Sequence, residues 1–213
     1  MVEPGRLVIA VDGPAASGKG TLARRIAAHY GLRHLDTGSL YRAVGRKLLK
    51  SNNDPADSGL AEAAARSLGA NDLADPDLRE EETAKAASIV ASQPAVRAAM
   101  LDYQRAFAGT PPGAVLDGRD IGTVVCPDAT AKIYLDASVE VRAARRAKEL
   151  QGNDTKSIES RVLSEMKERD ARDSERNVAP LRAAEDACVI DTTGLGPDEV
   201  FDRAVAFIAL KLG

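Results

Sequence analysis

IAVDGPAASGKGTLA, residues 9–23, decides how the rest of the chain is read. It opens on an apolar run, turns glycine-rich at Gly13 and closes on a lysine and an amphipathic start. In a turn of this kind between a strand and a helix, successive backbone N–H groups point inward and the helix start adds partial positive charge. The result is an anion site made of backbone. Gly13, Gly18 and Lys19 satisfy the phosphate-loop spacing G-x-x-x-x-G-K, with Lys19 supplying a point charge to the β- and γ-phosphates of a nucleotide. Gly20 follows the lysine, and the hydroxyl comes one place late, at Thr21. A nucleoside triphosphate is therefore expected on Gly13, Pro14, Ala15, Ala16, Ser17, Gly18, Lys19, Gly20 and Thr21.

Working outward, Leu7–Val11 is a continuous apolar run of strand length, the signature of a parallel strand buried on both faces. Leu22, Ile26 and Ala27 mark one face of a helix that reaches Tyr30 and stops at Gly31. A short strand at 33–35 leads into Asp36-Thr37-Gly38, followed by a helix with Leu40, Val44 and Leu48 on one face. Residues 51–82 are rich in acids and breakers, with one short helix expected at about 59–68. Helical pattern resumes from Glu81 to Phe107, broken at Gln93-Pro94, where proline suits a first helical turn. Strands are expected at 114–117, 130–135 and 187–190, and helices at 138–150, 155–176 and 197–211, with QGND at 151–154 opening the arginine-rich one.

Strands alternating with helices predict an α/β fold of the phosphate-loop NTPase type, three layers with a central parallel sheet. The 213 residues form one domain on this reading. Its core is drawn from about 1–50, 108–144 and 179–213, with an inserted lobe at about 51–107 and a lid at about 145–178.

Composition removes several function classes. A net charge of −3 gives no long-range attraction to nucleic acid or an anionic membrane. Two cysteines, Cys126 and Cys188, and two histidines, His29 and His34, lack the spacing of a structural zinc site, and the two cysteines read as buried thiols in a reducing cytosol. The first strand begins too early for a signal-peptide core, and no apolar run reaches the roughly 18–20 residues of a membrane span, so a soluble cytoplasmic protein is expected. With aromatics at 3% and no Trp, the core must be built from Ala, Leu, Val and Ile.

G-K-G-T is the form seen in nucleoside monophosphate kinases rather than in regulatory GTPases. A guanine-reading N-K-x-D is missing, and Asp191-Thr192-Thr193-Gly194, though it matches D-x-x-G, follows the last strand and reads as coincidence. A kinase that binds two polyanions side by side needs arginines beyond the loop lysine. Arg42 in DTGSLYR, Arg119 in DGRDIG, and Arg169, Arg172 and Arg176 in KERDARDSER are the candidates. Arg119 stands out because DGRD directly follows a strand, and parallel-sheet ligands bind beyond the carboxyl ends of strands.

GPAASGKGT, DTGSLYR, AAS with a downstream VR, DGRDIGTVV, and KERDxRDxxR followed by NVAPL occur here in the order found in bacterial cytidylate kinases, which the chain resembles from about residue 6 to 212. The resemblance implies transfer of the γ-phosphoryl of MgATP to CMP or dCMP by a monomer acting on small molecules. It implies that Ser88, Arg97 and Asp120 meet the cytosine and that Arg42, Arg119 and Arg176 grip the CMP phosphate. It implies further that Asp173 would hold the sugar hydroxyl with Arg169 nearby and that Thr37 and Tyr41 fall in the family's monophosphate-side motif. Lys19, Arg119 and Arg176 are the expected catalytic charges, with no direct metal ligand and Asp117 anchoring a water of the ATP-borne Mg²⁺.

The segment between Arg42 and Ser88 is shorter than in the longer members of that family, and ANDLADPDLREEE lacks the alternation and turn signals of a hairpin. Closure over CMP and base selectivity are expected to differ from those members. Two other readings compete: a kinase acting on an alcohol, which calls for a carboxylate base and no base reader, and a nucleotide-binding module without catalysis. ADP production dependent on an added monophosphate separates them.

Overall fold

The computed structural model describes residues 7–150 and 155–213. Residues 1–6, and the QGND stretch at 151–154 that falls within the expected lid, lie outside the described residues. In chain order the elements are β1 (Leu7–Asp12), α1 (Lys19–Tyr30), β2 (Arg33–Asp36), α2 (Thr37–Lys50), α3 (Ser58–Arg66) and α4 (Ala70–Leu73). A 3₁₀ turn (Pro76–Arg79), α5 (Glu81–Val90), α6 (Pro94–Ala108), β3 (Gly113–Gly118) and a π-helical turn (Ile121–Val125) follow. The chain ends with β4 (Ala131–Asp136), α7 (Val139–Leu150), α8 (Thr155–Glu175), β5 (Cys188–Asp191) and α9 (Pro197–Leu212). By their contacts the residues divide into a sheet unit, up to Leu35 and from Ala108 onward, and an inserted unit, Asp36–Phe107.

The sheet has the order β2-β3-β1-β4-β5, with β1 parallel to both β3 and β4 and β4 parallel to β5. Ile9, Val11, Val115, Ile133, Leu135 and Ile190 face Leu22 and Ile26 of α1 and Val200, Ala204 and Ile208 of α9. The intervening Val8, Ala10 and Leu116 are equally buried, which is why β1 reads as an unbroken apolar run rather than an alternation. Each fully buried Ile or Leu here contributes about 1.5–3 kcal/mol over leaving it exposed. Arg25 ties α1 to α9, 2.8 Å from Asp198 and over the Phe201 ring. Gly31 ends α1 as the sequence predicts: at φ 64° it is left-handed, and its N–H returns to Ala27 O.

Because β1 lies between β3 and β4, the strand order reverses at its carboxyl end, and such a switch point is where open α/β sheets hold ligands. The loops at Gly13, Gly118, Asp136 and Asp191 all leave the sheet at carboxyl ends of strands. α7 and α8 pack on one another through Ala143, Val162 and Met166, against Ala15 and Ala16. No helix among the described residues is long and apolar enough to cross a membrane.

In the inserted unit, Leu40, Val44 and Leu48 of α2 pack with Ala61 and Ala65 of α3, Ala87 and Val90 of α5, and Val96 and Met100 of α6. That shared core joins α2 to α3, α5 and α6 in the unit that begins at Asp36. A Cβ at Gly45 would lie 2.9 Å from both Ala86 Cβ and Ala87 N, so glycine permits the close approach of α2 to α5. α2 also begins at Thr37, which places Gly38 and Ser39 in its first turn rather than in a loop.

The acid-rich stretch 69–80 forms α4 and the 3₁₀ turn, and residues 36–107 contain no strand beyond the end of β2. Its acids answer the basic stripe of α2: Lys47 lies 3.0 Å from Asp72, Lys50 pairs with Asp75, and Arg46 reaches Asp75, Asp77 and Glu80. The Asp72 carboxyl is held below its ordinary pKa by the Gly69 N–H and by Lys47, and that of Asp75 by Lys50 and the Asp77 N–H.

Candidate functional site

The loop after β1 is shaped by close backbone approach. Gly13 has φ 150°, and a Cβ on it would sit 2.2 Å from Leu135 O, so no side chain is tolerated. Ala16 takes φ 58° and Gly18, the N-cap of α1, φ 93°, turning the chain tightly enough to gather N–H groups at the helix start. Lys19 reaches back over the loop, its ammonium donating to Pro14 O at 3.1 Å. Ser17 is buried, and its Oγ has no protein partner among the described residues.

Two arginines of α7 brace this loop. Arg142, 5% exposed, donates from Nε to Ala137 O at 2.9 Å and forks onto Asp170 of α8 at 2.6 and 3.3 Å. The second N–H of its Nη1 reaches Ala15 O at 3.4 Å. Arg145 donates to Thr192 O at 2.7 Å and to Thr192 Oγ1 at 3.0 Å. The Thr192 hydroxyl in turn lies 3.2 Å from Ser17 O and 3.0 Å from Asp136 O. The D-x-x-G match at 191–194 thus lies against the phosphate loop through Thr192.

Beside the loop, the end of β3 presents a run of charges. Asp117, 2% exposed, meets His34 Nε2 at 2.7 Å, and its Oδ2 would lie 3.7 Å from a Cβ at Gly20. Arg119 donates from Nε to Asp173 Oδ2 at 2.9 Å. Burial opposes the Arg119 charge, but Asp173, Asp170 and Asp117 outweigh it and raise its pKa further. Burial likewise pushes Asp173 upward, and Arg119, Arg169 and Arg176 reverse it, holding that carboxyl below its ordinary range. Arg176 lies 3.7 Å from Asp120 Oδ1 and donates to Ala179 O. Arg119, Asp120, Arg169, Asp173 and Arg176 therefore form one cluster of three cations and two anions, its carboxylates buried and its arginines half-buried.

Asp12, the last residue of β1, closes this half of the site. Its Oδ1 accepts from Ile121 N and its Oδ2 from Gly122 N, each at 2.8 Å. Burial pushes its pKa up to about 7, against the lowering effect of the two N–H donors.

The other expected residues lie in the inserted unit. Thr37 and Tyr41 are buried on α2, and Arg42, one place on, pairs with Asp36. Ser88 is buried on α5, and Arg97 of α6, 8% exposed, donates to Ala91 O at 3.3 Å with its guanidinium 5.7 Å over the Tyr41 ring.

A phosphate loop thus stands beside an arginine–carboxylate cluster at the carboxyl ends of the strands. The family described as cytidylate kinase matches residues 9–210. The chain belongs to the cytidylate kinase family. It is similar to the cytidylate kinase of Paramagnetospirillum magneticum, 59% identical over 207 residues covering 96% of this chain and 98% of that one. The cytidylate kinase of Methylobacterium sp. is 58% identical over 96% of this chain and 98% of its own, and that of Rhodospirillum rubrum 54% over 96% and 98%. Among solved structures, an uncharacterized protein from Eubacterium ventriosum superposes with a TM-score of 0.57 at 14% identity, covering 96% of this chain and 99% of that one, a likeness of fold.

As a member of the cytidylate kinase family the protein is an ATP-dependent kinase with a phosphate-loop α/β fold. Several residues of its site escape motif reading. Asp12 stands inside the opening motif, where a charge ending a buried strand is itself a signal. Arg142, Arg145 and Asp170 sit in helices where alternating charges look like solvated faces, and Thr192 looks like part of an unrelated loop. No group of three or more His, Cys, Asp or Glu that could cage a metal occurs among the described residues. Asp117, bonded to His34, is the carboxylate beside the start of α1.

Proposed function

We propose that the protein transfers the γ-phosphoryl group of MgATP to CMP or dCMP, giving ADP and CDP or dCDP. The observation that carries this reading is the cluster of Arg119, Asp120, Arg169, Asp173 and Arg176 beside the phosphate loop at the sheet's switch point. In its absence the loop alone would bind a triphosphate without an acceptor.

The chemistry asks little of proton-transfer groups. The attacking atom is a phosphate oxygen whose second pKa is about 6, already charged near neutrality. Alignment and charge stabilisation suffice, which accords with a chain holding two histidines, one of them turned to Asp117. Residues 13–21 hold ATP, with Lys19 against the β- and γ-phosphates. Arg119, Arg176 and Arg42 grip the acceptor phosphate, and Asp173, with Arg169 beside it, takes the sugar hydroxyl. Asp120, Ser88 and Arg97 read the cytosine, and Thr37 and Tyr41 complete the monophosphate side.

A carboxylate suits the cytosine N4 amino group and repels the uracil O4, so Asp120 selects by attraction and by repulsion. Mg²⁺, bound with ATP and through water to Asp117, would neutralise charge on the transferring group. The stretch at about 145–178 serves as a lid that closes over the phosphates and limits ATP hydrolysis, a role supported by the Arg142 link that joins Asp170 within it to Ala15 of the phosphate loop. We place the protein in the cytoplasm as a monomer acting on small molecules; a net charge of −3 gives it no long-range attraction to nucleic acid or an anionic membrane.

The test is ADP production from MgATP with CMP, dCMP, UMP or AMP, each against a blank without acceptor. Strong signals with CMP and dCMP over weak ones with UMP and AMP are expected. Equal turnover of all four would refute the base reading, and no turnover with any of them would refute the kinase acceptor.

A further inference from the structure

Asp12 belongs to none of the roles above, yet it is among the most heavily committed side chains of the sheet unit. It is 4% exposed and accepts two backbone N–H bonds at 2.8 Å, one on each oxygen. It directly precedes Gly13, the first residue of the phosphate loop, and its donors, Ile121 and Gly122, directly follow Arg119 and Asp120.

Those donors open the π-helical turn Ile121–Val125. An Asp at the N-cap normally accepts from the first N–H groups of its own helix. Asp120 occupies that position and makes no side-chain cap bond; its carboxylate faces Arg176 instead. Capping is supplied across the sheet by Asp12, so the carboxylate assigned to the base is relieved of a structural task.

We infer that Asp12 is a positioning residue that clamps the acceptor segment Arg119–Asp120 to the root of the ATP loop, setting the alignment of the two substrates. The inference rests on the assignment of Arg119 and Asp120 to the acceptor. A clamp of this kind acts on geometry: a misplacement of about 1 Å remote from the reacting atoms can cost on the order of 10²-fold in rate. Burial that pushes the carboxyl to about pH 7 marks the position as one where a hydrophobic residue would be cheaper to bury.

Gly122 supports the same reading. A Cβ there would lie 3.4 Å from Asp12 Oδ2 and 3.1 Å from the Lys132 side chain, so a side chain at this position would crowd the contact with Asp12.

The test compares wild type, Asp12→Asn, Gly122→Ala, Arg119→Ala and the double variant Asp12→Asn with Arg119→Ala. Asn keeps one acceptor and turns an NH₂ toward the other N–H. Circular dichroism and an equilibrium titration with a fluorescent ATP analogue first establish folding and donor-site occupancy. The expected result is a folded Asp12→Asn protein whose ATP affinity stays within about threefold while kcat/KM for CMP falls about ten- to a hundredfold. In the Arg119→Ala background the same substitution should cost much less, because residues that act as a unit are non-additive.

Full additivity, or a loss confined to ATP affinity, would overturn the inference. So would a lowered melting temperature with unchanged kcat and KM per folded molecule. Should Asp12→Asn fail to fold, Gly122→Ala carries the test: raised KM for CMP at unchanged ATP affinity supports the clamp, and unchanged KM and kcat overturn it. Wild type inactive toward every monophosphate, by contrast, would remove the kinase assignment itself, an outcome these variant comparisons do not produce.

Discussion

Replacing Asp173 by alanine leaves Arg119 buried with its nearest counter-charge gone. The pair is separated by 2.9 Å, with side chains only 15% and 8% exposed, so solvent screens it weakly. At an effective dielectric of about 20, two charges roughly 4 Å apart attract by about 4 kcal/mol. Removing one partner of a buried pair costs about 3–5 kcal/mol, because the remaining charge stays desolvated. Asp170 and Asp117 also act on Arg119 and soften the loss, which favours the low end, about 3 kcal/mol.

For a chain of this size, that lowers the melting temperature by roughly 6–12 °C. Urea unfolding followed by far-ultraviolet dichroism is the assay, since the chain has no Trp. Asp173 has its folded pKa depressed below 3.8, so its stabilisation is fully present above that value and is lost as pH falls through the folded pKa. The difference between wild type and Asp173→Ala should thus be flat from about pH 5 to 8 and shrink only below about pH 4. A loss under about 1 kcal/mol, or a loss undiminished when Arg119 is already alanine, would refute the reasoning.

Asp120→Asn should narrow the CMP-to-UMP ratio of kcat/KM, because an amide accepts from N4 without repelling O4 as strongly; an unchanged ratio would place base reading elsewhere. Gly45→Ala should destabilise by about 1–3 kcal/mol despite alanine's better helix propensity, because its Cβ meets Ala86 and Ala87 at 2.9 Å; thermal melting checks this. Asp12, whose folded pKa of about 7 lies well above the ordinary carboxylate range, binds its proton more tightly folded than unfolded. Its contribution should therefore decline as pH rises from about 4 to 7, by at most roughly 4 kcal/mol, and level off above. Asp120 strengthens and Arg119 weakens that shift, so wild type compared with Asp12→Asn across this range is the measurement.

The sequence by itself determined the parallel sheet, the phosphate loop and the chemical class of the ligand. Each is written in neighbouring residues: an unbroken apolar run means burial on both faces, and Gly13, Gly18 and Lys19 at their spacing mean a backbone cradle for phosphate. Helix ends at Gly31 and Pro94 were legible for the same reason, since a φ preference is local. The inserted unit was less so. Its acids are indistinguishable in sequence from solvated loop charges until α2 brings Arg46, Lys47 and Lys50 opposite them, and α2 itself joins that unit through contacts with helices many residues away.

Only the tertiary structure decided which charges work together. Arg119 meets Asp173 across 54 residues, Asp12 meets Ile121 across 109, and Thr192 reaches Ser17 across 175. Such pairings follow from strand order, which places the carboxyl ends of β1, β3, β4 and β5 along one edge of the sheet. An exposed charge and a buried, partnered one have the same letter in a sequence; what separates them is desolvation, and desolvation exists only once the chain has closed around them.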